Sequence, residues 1–152
     1  MKKIIVFATL LFCIFFCGCN EKKEEIQKTD IDFEENSFAE SSCQWAIHDN
    51  DMNGKVLIIN SDEDLKNYIT CGNSNYPAVD FSKYTILYAQ DVTTSGVSNI
   101  SKKFQQFTDN EYNLYIDVTL NMTAVAQGWS TSIRVKKLSQ NAIVKLTENI
   151  HH

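Results

Sequence analysis

The sequence predicts a mostly β domain, an antiparallel sandwich or barrel of six to seven strands with one short helix near its N-terminus. Three observations predict this fold. From residue 43 onward, short apolar runs follow one another, turn residues separate the runs, and residues 114–121 alternate between apolar and polar. Period-two alternation is typical of a strand with one buried face, and closely spaced short strands are typical of sandwiches and barrels.

The first residues predict a signal peptide. Lys2 and Lys3 precede an apolar run, Ile4 to Phe16, that is shorter than the roughly 20 residues needed to span a bilayer. Phe16-Cys17-Gly18-Cys19 resembles the lipobox of bacterial lipoproteins, in which cleavage precedes a cysteine that receives acyl chains such as palmitate. We therefore predict a lipoprotein signal peptide over residues 1–18 and lipidation at Cys19. A metal site made of cysteines in this run is disfavoured because its thiolates would lack polar partners.

An acidic segment follows the predicted lipid anchor. Residues 20–42 hold eight acidic and three basic residues and few large apolar ones, too few to offset the entropy of ordering the segment. We predict that residues 19–42 form a lipidated flexible tether and that residues 43–152 form the globular domain. Lys23-Glu24-Glu25 resembles the export signal of Bacteroidetes lipoproteins, which favours the outer surface of the outer membrane. The periplasmic face is the alternative.

The charge balance limits the partners. Cleavage before Cys19 leaves 12 basic against 19 acidic residues, a net charge of −7. Nucleic-acid binding depends on Lys and Arg that neutralise phosphates, so nucleic acid is not an expected partner. Membrane attachment is expected through the lipid rather than through a basic patch.

The first half of the domain contains a predicted hairpin and the helix. Asn53-Gly54 predicts a hairpin turn before a β-branched strand, Val56 to Ile59. Ser61 predicts a helix N-cap with Asp64 in a capping box, and the helix is expected to end near Cys71.

The second half is predicted to be all strand. Tyr84 to Ala89 is apolar on both faces and predicts a central buried strand. Ser95-Gly96 predicts a bulge or turn before a strand from Val97 to Phe107. After the alternating strand, residues 130–138 and 142–146 are expected to pair with each other through a turn at 139–141.

Two cysteines remain in the domain. Because a lipoprotein folds outside the cytoplasm, where disulfides persist, we predict a Cys43–Cys71 disulfide, with two buried free thiols as the alternative. Calcium is a second alternative to weigh: Asp49, Asp51 and Asn53 match the opening of a calcium loop, but the twelfth position is Asn60, which lacks the bidentate carboxylate. A polar turn is the preferred interpretation, and no cofactor is predicted.

Catalytic groups are scarce, so we do not expect an enzyme. The histidines are His48, His151 and His152, and two of them lie at the chain end. Candidate ligand-binding residues are the turn residues Thr94, Ser95 and Gly96 and the aromatic residues Tyr76 and Trp129. Trp129 follows a loop-like stretch at residues 126–128, which favours a binding role more than at Trp45, while a place in the core is the alternative interpretation.

Several segments together carry a resemblance. INSDEDLKNYI, YPAVDFSKYTIL and LNMTAVAQGW, with the lipobox, resemble small Bacteroidetes lipoproteins of unknown function. The order of strand, acidic-capped helix, VDFSK and buried strand is more distantly similar to the C-terminal domain of the protease-complex subunit (PrcB-like) family. That resemblance implies a small β-rich module beside a protease, and Ser95-Gly96-Val97 is its nearest match to the family's Gly-Gly-Tyr segment. We therefore predict a non-catalytic binding module for a protein or glycan, with a protease modulator or accessory subunit as the alternative.

Overall fold

The computed structural model describes residues 28–36, 38, 42–46, 50–72 and 76–152. These residues form a mostly β fold, as predicted, with an α-helix and a 3-10 helix beside the strands. The helices are Asn50–Met52 (3-10) and α1 (Asp62–Tyr68). The strands are β1 (Thr29–Asp30), β2 (Glu34–Glu35), β3 (Cys43–Trp45), β4 (Lys55–Ile59), β5 (Ile69–Cys71), β6 (Tyr84–Thr93), β7 (Val97–Gln106), β8 (Glu111–Leu120), β9 (Gln127–Lys136) and β10 (Ile143–His151).

The strand count and the helix position differ from the prediction. The described residues form ten strands instead of six or seven, because four of the ten are only two or three residues long. Such short strands contain too few side chains to show a period of two. The helix α1 follows four strands and therefore lies in the middle of the element order rather than near the N-terminus.

Two four-stranded sheets make up the body of the fold. The first sheet has the order β1-β7-β8-β10 and the second has the order β2-β9-β6-β4. One hydrophobic cluster draws buried side chains from both sheets, including Phe104 and Ile116 from the first and Leu87 and Ile133 from the second. In the described part of the chain, neither sheet closes on itself, so the predicted barrel alternative does not form.

The antiparallel prediction fails at the last strand. β10 pairs with β8 in parallel over its whole length, whereas we expected it to pair with β9. The segment 137–142 instead carries the chain from the second sheet back to the first. Because β9 lies in the other sheet, it serves as the crossover connection that parallel neighbours require.

The long strands agree well with the sequence patterns. β6 is an interior strand of the second sheet, and its residues from Thr85 to Ala89 are all buried, as predicted. In β8, Leu114, Ile116, Val118 and Leu120 are buried, and the residues between them are half-buried. The alternating prediction for β8 is therefore confirmed.

Part of the predicted tether lies on the domain. β1 pairs antiparallel with the end of β7, and β2 pairs antiparallel with β9. Residues 28–36 thus pass from the edge of the first sheet to the edge of the second, and we call them the N-terminal strap. Residues 29–30 and 34–35 therefore contribute strands to the two sheets, and residues 19–27 of the predicted tether lie outside the described part.

A third layer covers the outer face of the second sheet. It consists of α1 and the β3–β5 pair, and its hydrophobic cluster joins Leu65 to Ile59 and Ile86 of the sheet. The Ser61 side chain accepts a hydrogen bond from the Asp64 amide at 3.0 Å, as the predicted N-cap requires. The predicted Cys43–Cys71 disulfide is present and joins directly opposed residues of β3 and β5. The helix ends at Tyr68, earlier than predicted, because Ile69 is already extended.

Asn53-Gly54 does not form the predicted hairpin turn. β4 pairs with β6, which follows it by more than 20 residues, and the strand before β4 pairs with β5 instead. Gly54 has a φ of 69° and links the 3-10 helix to β4. A glycine is favoured there because side chains disfavour positive φ. Within the described ranges, no helix has the length and apolar character to cross a membrane.

Candidate functional site

Two loops meet at one end of the sheets. The first, residues 94–96, joins β6 to β7, and the second, residues 121–126, joins β8 to β9. The Gly96 amide donates to the Thr123 carbonyl at 3.1 Å, and the Asn121 amide donates to the Gly96 carbonyl at 2.8 Å. We call this surface the loop end.

Side chains tie the first loop to the start of β9. The Thr93 hydroxyl lies 2.7 Å from the Ser95 carbonyl and 3.0 Å from the Gln127 carbonyl. The Gln127 side chain accepts a hydrogen bond from the Val97 amide at 2.9 Å. These bonds satisfy backbone groups that the turn leaves unpaired, so the loop is held in one conformation.

The loop end exposes apolar side chains. Met122 is fully exposed, and Val125 is 64% exposed. Beside them lies an apolar pocket of about 470 Å³ lined by Ser95, Leu120, Asn121, Met122, Ala124 and His152. Exposed aliphatic side chains next to a concave apolar surface are a common feature of protein interaction sites. The loop end therefore combines exposed aliphatic side chains with a concave apolar surface.

The structure brings some of the predicted binding residues together. Thr94 is exposed, Ser95 is half-buried and Gly96 is buried, and all three lie at the loop end. Tyr76 is 42% exposed, but its ring lies 5.5 Å from Lys66 Nζ on α1. It belongs to the third layer, near the start of β6, and therefore lies away from the loop end.

Trp129 lies in the core rather than on an exposed binding surface. It lies within β9 rather than in a loop, and only 6% of it is exposed, because it packs in the shared cluster. Its indole Nε1 is buried and has no hydrogen-bond partner within normal bonding geometry among the described residues. It therefore offers no exposed aromatic face.

A pair of carboxyl groups lies beside Trp129. Asp91 is directly opposite Trp129 in the β6–β9 ladder, and Glu148 reaches the same place from β10 of the other sheet. Burial raises the pKa of the Glu148 carboxyl, and the nearby Asp91 charge raises it further. The indole of Trp129 opposes this rise, because an N–H group favours the ionised carboxylate.

Two of the three residues of the alternative calcium site, Asp51 and Asn53, lie in the described part of the chain. Asp49 lies outside the described residues, and the Asn53 side-chain oxygen accepts a hydrogen bond from Gln90 at 3.1 Å. Asp51 is exposed in the 3-10 helix. No group of three or more His, Cys, Asp or Glu side chains in the described ranges could hold a metal ion. The lipidation position Cys19 also lies outside those ranges.

Sequence reasoning missed Met122, Val125, Asp91 and Glu148. The first two had a signal: they are aliphatic residues in a stretch between two strands, where turn residues are expected. The carboxyl pair had none, since Asp91 and Glu148 are 57 positions apart and come together only through the packing of the two sheets. Comparisons with protein-family models, with curated proteins and with solved structures find no match to this chain.

Proposed function

We propose that the chain is a lipid-anchored, non-catalytic binding module of the cell envelope, and that its loop end contacts a protein partner. The anchor is Cys19, and the location is the outer membrane, with the domain on the cell surface; the periplasmic face is the alternative. The lipobox and the Lys23-Glu24-Glu25 signal support this assignment. The scaffold is a β-sandwich, an inference supported by the hydrophobic cluster that the two sheets share.

The observation that carries this proposal is that the strap begins at the end of the sheets opposite the loop end. We call the end where Lys28 and Thr29 lie the strap end. β1 runs antiparallel to β7, with Thr29 opposite Gln106, so the chain enters where β7 finishes. There the Lys28 ammonium lies 5.2 Å from the centroid of the Phe107 ring. The loop end lies where β7 begins, about 30 Å away for a strand of this length.

The short distance in sequence between anchor and strap limits how far the strap end can lie from the bilayer. Cys19 precedes Lys28 by nine residues, which reach about 30 Å at full extension. A lipid on Cys19 therefore keeps the strap end within about 30 Å of the bilayer, and the loop end is the end farther from the anchor. Exposed apolar side chains in that position are available to another protein and are not screened by the membrane.

A protein partner fits the loop end better than a glycan does. Sugar recognition uses exposed aromatic faces, whereas Trp129 is buried and Tyr76 lies on the third layer. Met122 and Val125 are flexible and branched aliphatic side chains, which gain binding energy by losing water against another apolar surface. The partner is therefore expected to present an apolar side chain to the pocket.

The alternative function, a protease modulator or accessory subunit, is supported by the first loop. Thr93 and Val97 make hydrogen bonds to Gln127 of β9, Gly96 makes them to Asn121 and Thr123 of the second loop, and the Ser95 carbonyl accepts one from Thr93. A loop held in one conformation loses little entropy when it enters a cleft. Inhibition or activation of a co-purifying protease by the chain would favour this alternative.

Charged substitutions at the loop end test the proposal. The double variant Met122→Asp, Val125→Asp should reduce capture of the partner from envelope extracts at least tenfold, because a buried unpaired carboxylate costs several kcal/mol. The matched control is Ile143→Asp: Ile143 is 54% exposed and lies at the strap end. Equal capture by the unchanged chain, the double variant and Ile143→Asp would contradict the proposal. A Cys19→Ser variant should separately lose incorporation of labelled palmitate.

A further inference from the structure

The edge of β7 that faces away from β8 is only partly covered. β1 pairs with Gln105 and Gln106, and the Ile31 amide donates to the Phe104 carbonyl at 2.9 Å. The strap then leaves this edge and pairs with β9 at Arg134. Among the residues that the structure describes, no strand pairs with the remaining part of this edge, residues 97–103.

The direction of the free backbone groups follows from the bond to Phe104. Along a strand, N–H and C=O pairs point alternately to the two sides. Since the Phe104 carbonyl points toward β1, the N–H and C=O groups of Lys102 and Ile100 point to the same side. The register shift between Val97 and Asn99 ends this series. The free edge therefore presents two donors and two acceptors in a row.

A groove lies along this edge. It has a volume of about 440 Å³ and runs between the start of β7 and the start of β9. Its lining is mostly polar and includes Ser98, Asn99, Gln127 and Ser130. Hydroxyl and amide side chains beside a free backbone edge suit a ligand that is itself a polypeptide backbone.

Lysines often protect sheet edges from pairing, but the two lysines here are held by partners. The Lys102 ammonium lies 2.7 Å from a Glu35 oxygen and 3.0 Å from the Thr131 hydroxyl, and its side chain is only 11% exposed. The Lys103 ammonium lies 3.2 Å from Asp30. Both charges are thus directed to the strap and to β9, and they leave the free backbone groups of Ile100 and Lys102 accessible.

We propose that this edge accepts an extended segment of a partner polypeptide, which adds to the first sheet as an antiparallel strand in line with β1. The occupant follows from continuity: β1 already uses the same edge in the same manner, and the added strand would continue that row of hydrogen bonds from Phe104 to Lys102 and Ile100. Strand addition of this kind obtains its affinity from the main chain. This surface is separate from the loop end, so it does not depend on the proposed function.

The test uses the lipidated full chain in detergent micelles and a synthetic probe. The probe is a peptide of about ten alternating Thr and Val residues with Lys at each end, since β-branched residues favour strands. We expect saturable binding with a Kd on the order of 0.1 mM. Bound probe should slow hydrogen exchange of the Ile100 and Lys102 amides at least about tenfold.

Backbone methylation of the probe provides a control that leaves the protein unchanged. Methyl groups on alternate amides of one set should abolish binding, and methyl groups on the other set should leave it intact, because only one set faces β7. Protection confined to the outer edge of β10, equal effects of both sets, or no saturable binding would overturn the proposal. Slow exchange of the two amides in the free chain would also overturn it, since the edge would then be occupied already.

Discussion

Gly96 lies directly against the side chain of Asn121. A Cβ atom at position 96 would lie 2.5 Å from the Oδ1 atom and 2.8 Å from the Nδ2 atom of Asn121. Asn121 is not free to move away, because its Oδ1 accepts a hydrogen bond from the Thr123 amide at 2.9 Å. The two loops of the loop end are therefore packed so closely that any Cβ at position 96 would have to displace the Asn121 side chain.

Replacement of Gly96 by alanine should destabilise the protein. The added methyl group must displace the Asn121 side chain and break its bond to Thr123, which should lower the free energy of unfolding by about 1–3 kcal/mol. Urea unfolding followed by tryptophan fluorescence measures this change. The control is Gly128→Ala, since a Cβ there has no atom within 4 Å. Equal stability of the two variants would contradict the close packing.

Lys102 connects the two sheets, and this connection should contribute more to stability than the ion pair between Lys103 and Asp30 does. The Lys102 side chain is only 11% exposed, whereas that of Glu35 is 61% exposed and can bind water instead. Lys102→Met removes the bonds to Glu35 and Thr131 and should cost about 0.5–1.5 kcal/mol of stability. Lys103 is half-exposed beside Asp30, so Lys103→Met should change stability by less than about 0.5 kcal/mol. Thermal unfolding of both variants at matched ionic strength makes the comparison. A larger loss for Lys103→Met would contradict the bridging role.

Removal of the disulfide should lower stability substantially. Cys43 and Cys71 are 28 residues apart, and a loop of that size restricts the unfolded chain by about 3–4 kcal/mol in the chain-entropy model. The double variant Cys43→Ala, Cys71→Ala should lose about that amount in urea unfolding. Reductant should produce the same loss in the unchanged protein and none in the double variant. An unchanged midpoint under reductant would be inconsistent with the bond.

The Glu148 carboxyl should make stability depend on pH in the acid range. Its pKa in the folded chain is raised above its ordinary value of 4.5. Burial is the larger cause, and the charge of Asp91 is the second. The folded state therefore binds the proton more tightly than the unfolded state does. The stabilising contribution is fully present below the unfolded pKa and is lost as pH rises through the folded pKa.

Glu148→Gln should consequently raise the unfolding midpoint at neutral pH and flatten its decrease between acid and neutral pH. Thermal melts across that range measure both effects. Glu111→Gln is the control, because Glu111 is exposed at the start of β8. If the unfolding midpoints of Glu148→Gln and of the unchanged protein change with pH in parallel, the carboxyl pair does not control the pH dependence of stability.

The sequence predicted the parts of the fold that local chemistry determines. The alternation in β8, the buried run in β6 and the Ser61 cap each depend on neighbouring residues, and all three are present. The disulfide was predictable because the predicted cleavage leaves only two cysteines besides Cys19 in the sequence, and disulfides persist in the predicted compartment.

The remaining features depend on contacts distant in sequence. β10 pairs with β8 because the strand between them joins the other sheet, and no local pattern records that choice. The strap resembled a tether because its few apolar residues, Ile31 and Phe33, are buried only by packing on the shared cluster. Trp129 follows residues typical of a loop, yet pairing with Asp91 makes it part of a strand.

Site-specific crosslinking in intact cells tests most directly whether the loop end binds a partner. A photoreactive amino acid at Thr94, which is exposed at the loop end, is compared with one at Gln140, which is exposed at the strap end. We expect Thr94 to crosslink to one protein and the double variant Met122→Asp, Val125→Asp to abolish this product. Crosslinking of that protein from Gln140 and not from Thr94 would contradict binding at the loop end.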